Sequence, residues 1–257
     1  MKILTIGDIF GRPGRDATFE MLEAMRYEVD LIIANAENAS HGRGLSKPVY
    51  EELKKAGIDV FTMGNHTWGC PDIASVMRYN DEVIRPANFD GDVPGKGACI
   101  VTAKNGTRVG VINLMGRTYM QGTVSSPFFT ADAEIEKMQG RADLIFVDFH
   151  AEATSEKEAL GYYLDGKVTA VFGTHTHVQT ADEKILPKGT GYITDLGMTG
   201  PSCSVLGLDR NTIVQRFLDG MPQKFTVATG VGQFCGAVFE TDDAGKCIGV
   251  ERIYKEF

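Results

Sequence analysis

The chain has 257 residues, of which 43% are hydrophobic and 23% are charged. This composition is ordinary for a packed protein with one large α/β domain or two small ones. The formal net charge of −8 and the isoelectric point near 5.2 argue against a protein that coats nucleic acid or a membrane, because such proteins need clustered Lys and Arg. We therefore expect no membrane association and no stable nucleic-acid complex, while a small anionic ligand can still bind locally.

The cysteines and the amino terminus indicate a cytoplasmic protein. The five cysteines are odd in number, widely spaced and without a C-x-x-C pair, so neither a disulfide framework nor a thiolate zinc site is expected. The first residues, MKILTIGDIF, run directly into a strand pattern without a long apolar segment, and no stretch approaches the length of a membrane span. We expect reduced thiols and a cytoplasmic location.

Apolar, strand-like runs alternate with amphipathic helices along much of the chain. The strand-like runs are residues 2–8, 30–38, 59–66, 143–150, 169–177 and 190–195. Helices are predicted for residues 16–27, for a stretch from Ser46 with Pro48 in its first turn, and for residues 155–164. Continuous apolar runs are typical of parallel strands that are covered on both faces. The order indicates βαβ units and a mainly parallel sheet.

Two hairpin patterns add antiparallel strands to this α/β chain. Residues 99–104 pair with 109–113 around Asn105-Gly106, and residues 234–240 pair with 248–254. No internal repeat, low-complexity tract or Pro/Gly/Ser-rich linker marks a boundary, so we predict one domain over residues 1–257. Residues 116–129 are the longest stretch without a predicted element, and loops of that length are often functional.

Residues able to bind metal recur at the carboxyl ends of the predicted strands. They are Asp8, Glu37, Asn38, Asn65, His66, His150, His175 and His177. The carboxyl ends of parallel strands share one edge of an open α/β sheet, where ligands bind. A lone Asp there is ordinarily a cap or turn former, and a lone His is ordinarily a hydrogen-bonded polar residue. Because four of the five histidines share this placement, metal binding is the better interpretation.

The donor types favour two transition-metal ions. Imidazole nitrogens mixed with carboxylate and amide oxygens suit Mn, Fe, Zn or Co better than Mg or Ca. Seven donors, with His66 left out, are too many for one tetrahedral ion. They suit two ions about 3.5–4 Å apart, bridged by a carboxylate and a water-derived hydroxide. We predict two divalent or mixed-valence ions per chain, with Fe or Mn first and Zn as the alternative. Such a centre stays electropositive and attracts phosphate.

The strand-end residues resemble the motifs of calcineurin-like metallophosphoesterases. The matching blocks are GD at 7–8, the acid Glu37, GNH at 64–66, the solitary His150 and GTHTH at 173–177. Two departures, Phe10 in place of the usual histidine and Ala36-Glu37-Asn38 in place of G-D-x-x-D, resemble the YmdB-like phosphodiesterases. Residues 7–14, 37–44 and 194–200 are similar to that subfamily's blocks, although Ser40-His41 separate Ala39 from Gly42 in the middle one.

The resemblance implies a fold and a role for each strand-end residue. The fold implied is a layered α/β sandwich with mixed, largely parallel sheets flanked by helices. The implied ligands are Asp8, Asn38 and His177 on one ion and Asn65, His150 and His175 on the other, with Glu37 bridging. His66, which no metal shell requires, is the candidate general acid because an imidazole can donate a proton near neutral pH. The alternative is that His66 only hydrogen-bonds the phosphate.

The resemblance also implies a substrate class. It points to a small cyclic nucleotide or another phosphodiester, with 2′,3′-cyclic nucleotides before 3′,5′-cyclic AMP, and we allow for a homo-oligomer. The first alternative is a phosphomonoesterase or protein phosphatase that uses the same centre. The second is a regulatory RNA- or protein-binding module with weak residual activity, which a complete donor set disfavours.

Four residues near the motifs are weaker candidates. Arg12, His41 and Arg43 are candidate substrate contacts because their segments lie close to the predicted rim. Trp68, the only tryptophan, lies two residues beyond His66. It is suited to stacking on a base, but we expect it to fill the core instead.

Overall fold

Two β-sheets face each other at the centre of the molecule, and helices cover their outer faces. A computed structural model describes every residue from Met1 to Phe257. The strands are β1 Lys2–Ile6, β2 Asp8–Ile9, β3 Leu31–Asn35, β4 Val60–Thr62, β5 Val83–Ile84, β6 Ala98–Thr102, β7 Arg108–Met115, β8 Leu144–His150, β9 Ala170–Thr174, β10 Lys184–Ile185, β11 Gly191–Ile193, β12 Met198–Pro201, β13 Gly232–Thr241 and β14 Cys247–Glu256. The helices are α1 Gly11–Met25, α2 Lys47–Ala56, α3 Ile73–Tyr79, α4 Pro127–Met138, α5 Thr154–Leu164 and α6 Arg210–Asp219.

Both sheets are mixed and contain a parallel section. The first has eight strands in the order β2-β12-β13-β1-β3-β4-β5, with β14 paired to β13. Strands β1, β3, β4 and β5 are parallel, whereas β13 runs antiparallel to β1 and to β14. The second has six strands in the order β10-β11-β9-β8-β7-β6, of which the central four are parallel. This architecture confirms the predicted fold class.

The apolar side chains pack in three groups that correspond to the layers. Between the sheets, Ile33 and Val60 of the first sheet pack in one cluster with Phe146 and Phe172 of the second. Helices α1 to α3 cover the outer face of the first sheet, and α4 and α5 cover that of the second. Because both faces of each sheet are buried, the strand sequences are continuous apolar runs rather than alternating ones.

The six predicted strands all form, and most are shorter than their sequence runs. Only β8 continues to its polar end at His150. The other strands stop before their polar ends; Asp8 lies in the separate short strand β2, and the remaining polar residues lie in loops. Helix α1 begins at Gly11 rather than at Asp16, because Pro13 is compatible with a first helical turn.

Three helices were not assigned from the sequence: α3, α4 and α6. Helix α4 takes residues 127–129 of the predicted loop 116–129. Helix α6 buries only Ile213, so no apolar stripe marks it in the sequence. None of the six helices combines the length and the apolar character that crossing a bilayer requires. One domain over residues 1–257 stays a prediction.

Candidate metal centre

The proposed ligands come from both sheets rather than from the rim of one. Asp8 lies in β2, Glu37 follows β3 and Asn65 follows β4 in the first sheet, while His150 ends β8 and His175 follows β9 in the second. The expectation of a single sheet edge was therefore wrong in this respect. The facing sheets bring their strand ends together, and the candidate centre lies where the two layers meet.

Three donor atoms converge on one ring nitrogen of His150. Its Nε2 lies 2.9 Å from Asn65 Oδ1, 3.1 Å from Glu37 Oε1 and 3.1 Å from His175 Nδ1. One ring nitrogen carries at most one hydrogen and cannot satisfy three neighbours. Ligand atoms about 2.1 Å from an ion and at right angles to one another are about 3 Å apart. This first group of donors, Glu37, Asn65, His150 and His175, has the spacing of a metal shell.

A second group of donors lies around Asp8. His177 Nε2 is 3.3 Å from Asn38 Oδ1 and 3.9 Å from Asp8 Oδ1. Asp8 is fully buried, and its Oδ1 has no hydrogen-bond partner. Leaving a buried carboxylate oxygen unpaired is expensive, so the residues present fit a cation here. The structure thus brings all seven predicted ligands together in two adjoining groups.

The pKa values of the buried groups show that the buried carboxylates favour a positive charge at this site. Burial raises the pKa of Asp8, and repulsion by Glu37 adds to this effect although the neighbouring histidines oppose it. Burial alone lowers the pKa of His150, yet Glu37 and Asp8 raise it to about 9. Burial and the charge of His150 lower the pKa of His175 to about 3. His175 is therefore neutral, and its lone pair is free for a metal.

Hydrogen bonds behind the histidines fix which nitrogen faces the site. His150 Nδ1 donates to Thr174 Oγ1 at 2.9 Å, because the Thr174 hydroxyl itself donates to Asp148 Oδ1 at 2.7 Å. His177 Nδ1 donates to the Leu206 carbonyl at 3.1 Å. In both rings Nε2 is left as the metal-facing atom, as supporting groups around metal sites ordinarily arrange.

Sequence reasoning missed the supporting residues Asp148 and Thr174. Both are fully buried, and burial raises the pKa of Asp148 to about 6. A signal was present, because Asp148 interrupts the apolar run DLIFVDFH and a charged residue inside a buried strand needs a partner.

The H-x-H segment is not extended, although residues 169–177 were predicted as one strand. Strand β9 stops at Thr174, and His175 and His177 have φ values of 100° and 64°. Non-glycine residues adopt such values only where surrounding contacts impose them. The contacts are with Asp195, whose Oδ2 accepts bonds from Thr176 N at 3.2 Å and Thr176 Oγ1 at 2.8 Å. A loop conformation, rather than a strand, therefore orients the rings of His175 and His177 toward the donor groups.

Gly64 allows the GNH segment to reach the centre. A Cβ at Gly64 would overlap the imidazole of His150, so only glycine permits this approach. The next residue, Asn65, consequently reaches His150, and the His66 backbone N–H donates to Glu37 Oε2 at 2.7 Å. The His66 side chain is half-buried, and its Nδ1 has no partner. Burial lowers the pKa of His66 despite the attraction of Glu37.

The predicted substrate contacts differ in their placement. Arg12 pairs with Asp16 at 3.1 Å with its side chain 74% exposed, and no contact ties it to the donor groups. His41 is exposed with a φ of 56°. Arg43 is exposed but packs beside Gly69, and its charge contributes to the lowered pKa of His66. Of the three, Arg43 is the one shown to lie near the candidate acid.

The fold is that of the metallophosphoesterases. A Staphylococcus aureus protein described as a candidate 5′-nucleotidase shares the fold with a TM-score of 0.60. The two are 17% identical, and the match covers 98% of this chain and 53% of that one. At this identity the likeness shows the fold alone.

The chain belongs to the YmdB-like protein family, whose profile matches residues 4–253. The 2′,3′-cyclic-nucleotide 2′-phosphodiesterase of Bacillus subtilis is 50% identical over 256 residues, which is 98% of this chain and 96% of that protein. A Mycoplasma pneumoniae structure described as a novel phosphatase is 39% identical with a TM-score of 0.93, and the match covers 100% of this chain and 93% of that one. These findings confirm the family resemblance and the predicted enzyme class, a phosphoric diester hydrolase.

Proposed function

We propose that this protein is a metal-dependent phosphodiesterase that hydrolyses cyclic nucleotides, with 2′,3′-cyclic nucleotides preferred over 3′,5′-cyclic AMP. The observation that carries the proposal is the convergence of Asn65, Glu37 and His175 on His150 Nε2 at about 3 Å. The 50% identity to a 2′,3′-cyclic-nucleotide 2′-phosphodiesterase supports the substrate class. A small-molecule phosphodiester is therefore the proposed substrate, and a homo-oligomer and a cytoplasmic location stay predictions.

Seven residues would hold two ions. Asp8, Asn38 and His177 would hold one, Asn65, His150 and His175 the other, and Glu37 would bridge them. When bound, the ions supply positive charge that stabilises the phosphoryl oxygens and lowers the pKa of the attacking water. The nitrogen and oxygen donors favour Fe or Mn, with Zn as the alternative.

His66 would act as the general acid. Water adds to phosphorus, the bond from phosphorus to the ribose 2′-oxygen breaks, and the proton that the 2′-oxygen needs comes from the imidazole. The half-buried ring has an unpartnered Nδ1, and its backbone is tied to Glu37, so it is fixed beside the donor groups. Arg43, His41 and Arg12 remain the candidates for contact with the substrate, and Arg43 is the one whose charge acts on His66.

Hydrolysis of a substrate panel by the metal-loaded protein tests the proposal. We expect a 2′,3′-cyclic nucleotide to give the 3′-monophosphate, with slower turnover of 3′,5′-cyclic AMP and of simple phosphomonoesters. Turnover of phosphomonoesters alone would favour a phosphatase, a reading supported by the M. pneumoniae relative described as a phosphatase. Absence of hydrolysis, with tight binding of RNA or protein, would favour the regulatory module.

A further inference from the structure

The only tryptophan of the chain is exposed beside the candidate acid. Trp68 lies in a 3-10 turn, Thr67–Gly69, directly after His66, and its side chain is 44% exposed. The expectation that Trp68 fills the core is therefore wrong. A side chain that leaves much of its surface in solvent contributes little hydrophobic stabilisation for its size. Core packing therefore does not account for a tryptophan at this position.

The Trp68 ring has a firm support on one side. It packs against Phe89 with ring centroids 6.2 Å apart and an angle of 33° between the planes. Phe89 is itself held by a backbone bridge to Val124. The indole thus rests on a ring anchored in the fold, while the exposed part of its surface can receive a second planar group.

The turn that carries Trp68 is fixed relative to His66. Gly69 N donates to the His66 carbonyl at 2.8 Å, and Thr67 Oγ1 donates to the Gly64 carbonyl at 2.6 Å. Gly69 also packs against Arg43 and Gly44. The Cα atoms of His66 and Trp68 are two peptide units apart, so the distance between them is no more than about 7 Å. A molecule bound at His66 therefore lies within reach of the indole.

We propose that Trp68 is the stacking platform for the base of the cyclic nucleotide, an inference that rests on the proposed function. The phosphorus is held at the donor groups, and the base extends over the indole. Every base has a π face, so stacking tolerates all four bases and favours the larger purines. Stacking on an aromatic side chain changes affinity by about 5- to 150-fold.

The fluorescence of the single tryptophan gives a direct test. We expect adenosine 3′-monophosphate to change the emission of the metal-loaded protein in a saturable manner, and inorganic phosphate and ribose 3-phosphate to leave it unchanged. Calorimetry on the same samples measures binding independently. Binding of the nucleotide without a change in emission would overturn the inference.

Kinetics with a base-free substrate separate stacking from a structural role. For Trp68→Ala we expect KM for a 2′,3′-cyclic nucleotide to rise about 5- to 150-fold with kcat nearly unchanged, and hydrolysis of glycerol 1,2-cyclic phosphate to stay as in wild type. Trp68→Phe should retain most of the nucleotide affinity. Tyr79→Ala is the control, because Tyr79 is 78% exposed at the end of α3 and outside the site.

The outcomes distinguish this inference from the proposed function. If wild type hydrolyses neither substrate, the proposed function fails. If wild type hydrolyses the cyclic nucleotide and Trp68→Ala affects both substrates equally or neither of them, the function stands and the stacking role is wrong.

Discussion

Glu37 connects the donor groups with the candidate acid. Its Oε1 lies 3.1 Å from His150 Nε2, and its Oε2 accepts a hydrogen bond from His66 N at 2.7 Å. Burial alone raises the pKa of Glu37, but His150 overrides this effect and lowers the pKa to about 2. The carboxylate is therefore charged near neutral pH.

Glu37→Gln keeps the size of the side chain and removes this charge. We expect metal content to fall and activity to drop by orders of magnitude while circular dichroism shows an intact fold. Metal analysis and steady-state hydrolysis on one preparation check the prediction. Turnover within a few fold of wild type would mean that Glu37 does not bridge the ions.

His66 and His175 should respond differently to substitution by alanine. His66→Ala should keep its metal and slow the cleavage of esters with poor leaving groups by about 10²–10⁴-fold, while activated aryl esters are spared. His175→Ala should lose metal and damage both classes of substrate, because its Nδ1 faces His150 in the first donor group. Metal analysis and rates against leaving-group pKa measure the contrast.

Two results would contradict the role of His66 as the acid. One is metal loss in His66→Ala like that in His175→Ala, and the other is a rate defect that does not depend on leaving-group pKa. His66 would then bind phosphate or stabilise the loop.

At the scale of elements, a buried ion pair holds the loop that presents two histidines. Lys157 of α5 lies 2.5 Å from Asp195 Oδ2, and both side chains are almost fully buried. The same carboxylate accepts the bonds from Thr176, which lies between His175 and His177. Helix α5 and the residues after β11 thus position the H-x-H segment.

Asp195→Asn should destabilise the fold and weaken metal binding. It leaves the Lys157 cation buried without its partner, which costs about 3–5 kcal/mol. Thermal unfolding of the metal-free protein and calorimetric metal titration measure the two effects. Replacing both residues, Lys157→Met with Asp195→Leu, should recover part of the stability but not metal affinity, because the Thr176 backbone N–H and hydroxyl lose their acceptor. Full recovery of metal affinity would show that Asp195 does not position the loop.

The ion pair also makes the free energy of unfolding depend on pH. Burial opposes ionisation of Asp195, but Lys157 outweighs it and lowers the pKa of Asp195 below the unfolded value. The stabilisation is therefore complete above about pH 4 and is lost as pH falls through the folded-state pKa. Acid unfolding of Asp195→Asn should consequently depend less on pH in this range than that of wild type.

At the scale of the whole molecule, the candidate centre joins the two sheets. The first sheet supplies Asp8, Glu37 and Asn65, and the second supplies His150 and His175. Ions bound there would pull both layers together and neutralise Asp8 Oδ1, which has no other partner.

Metal analysis should find about two transition ions per chain, and their removal should lower the melting temperature. A ligand at 100 times its Kd stabilises the folded state by about 2.7 kcal/mol. Thermal scans before and after chelation, and after adding back Mn, Fe or Zn, measure the effect. Full activity in a metal-free preparation would refute the metal centre.

Several features of the site could be predicted from particular residues. The continuous apolar runs indicated parallel strands, and the acids, amides and histidines that follow them indicated a mixed nitrogen and oxygen metal site. Both inferences use local information, since the pattern of a buried strand and of its polar end lies in consecutive residues of the sequence. The family blocks then assigned a role to each donor.

The sequence by itself determined most of the strands and the chemistry of the donors, because these depend on residue type and on neighbours along the chain, and its resemblance to a known family gave the enzyme class. Tertiary structure decided that two facing sheets share the ligands, that left-handed φ values aim His175 and His177, and that Trp68 is exposed on Phe89. These features depend on contacts between residues far apart in sequence, such as Glu37 with His150, and only the packing of the layers sets those distances.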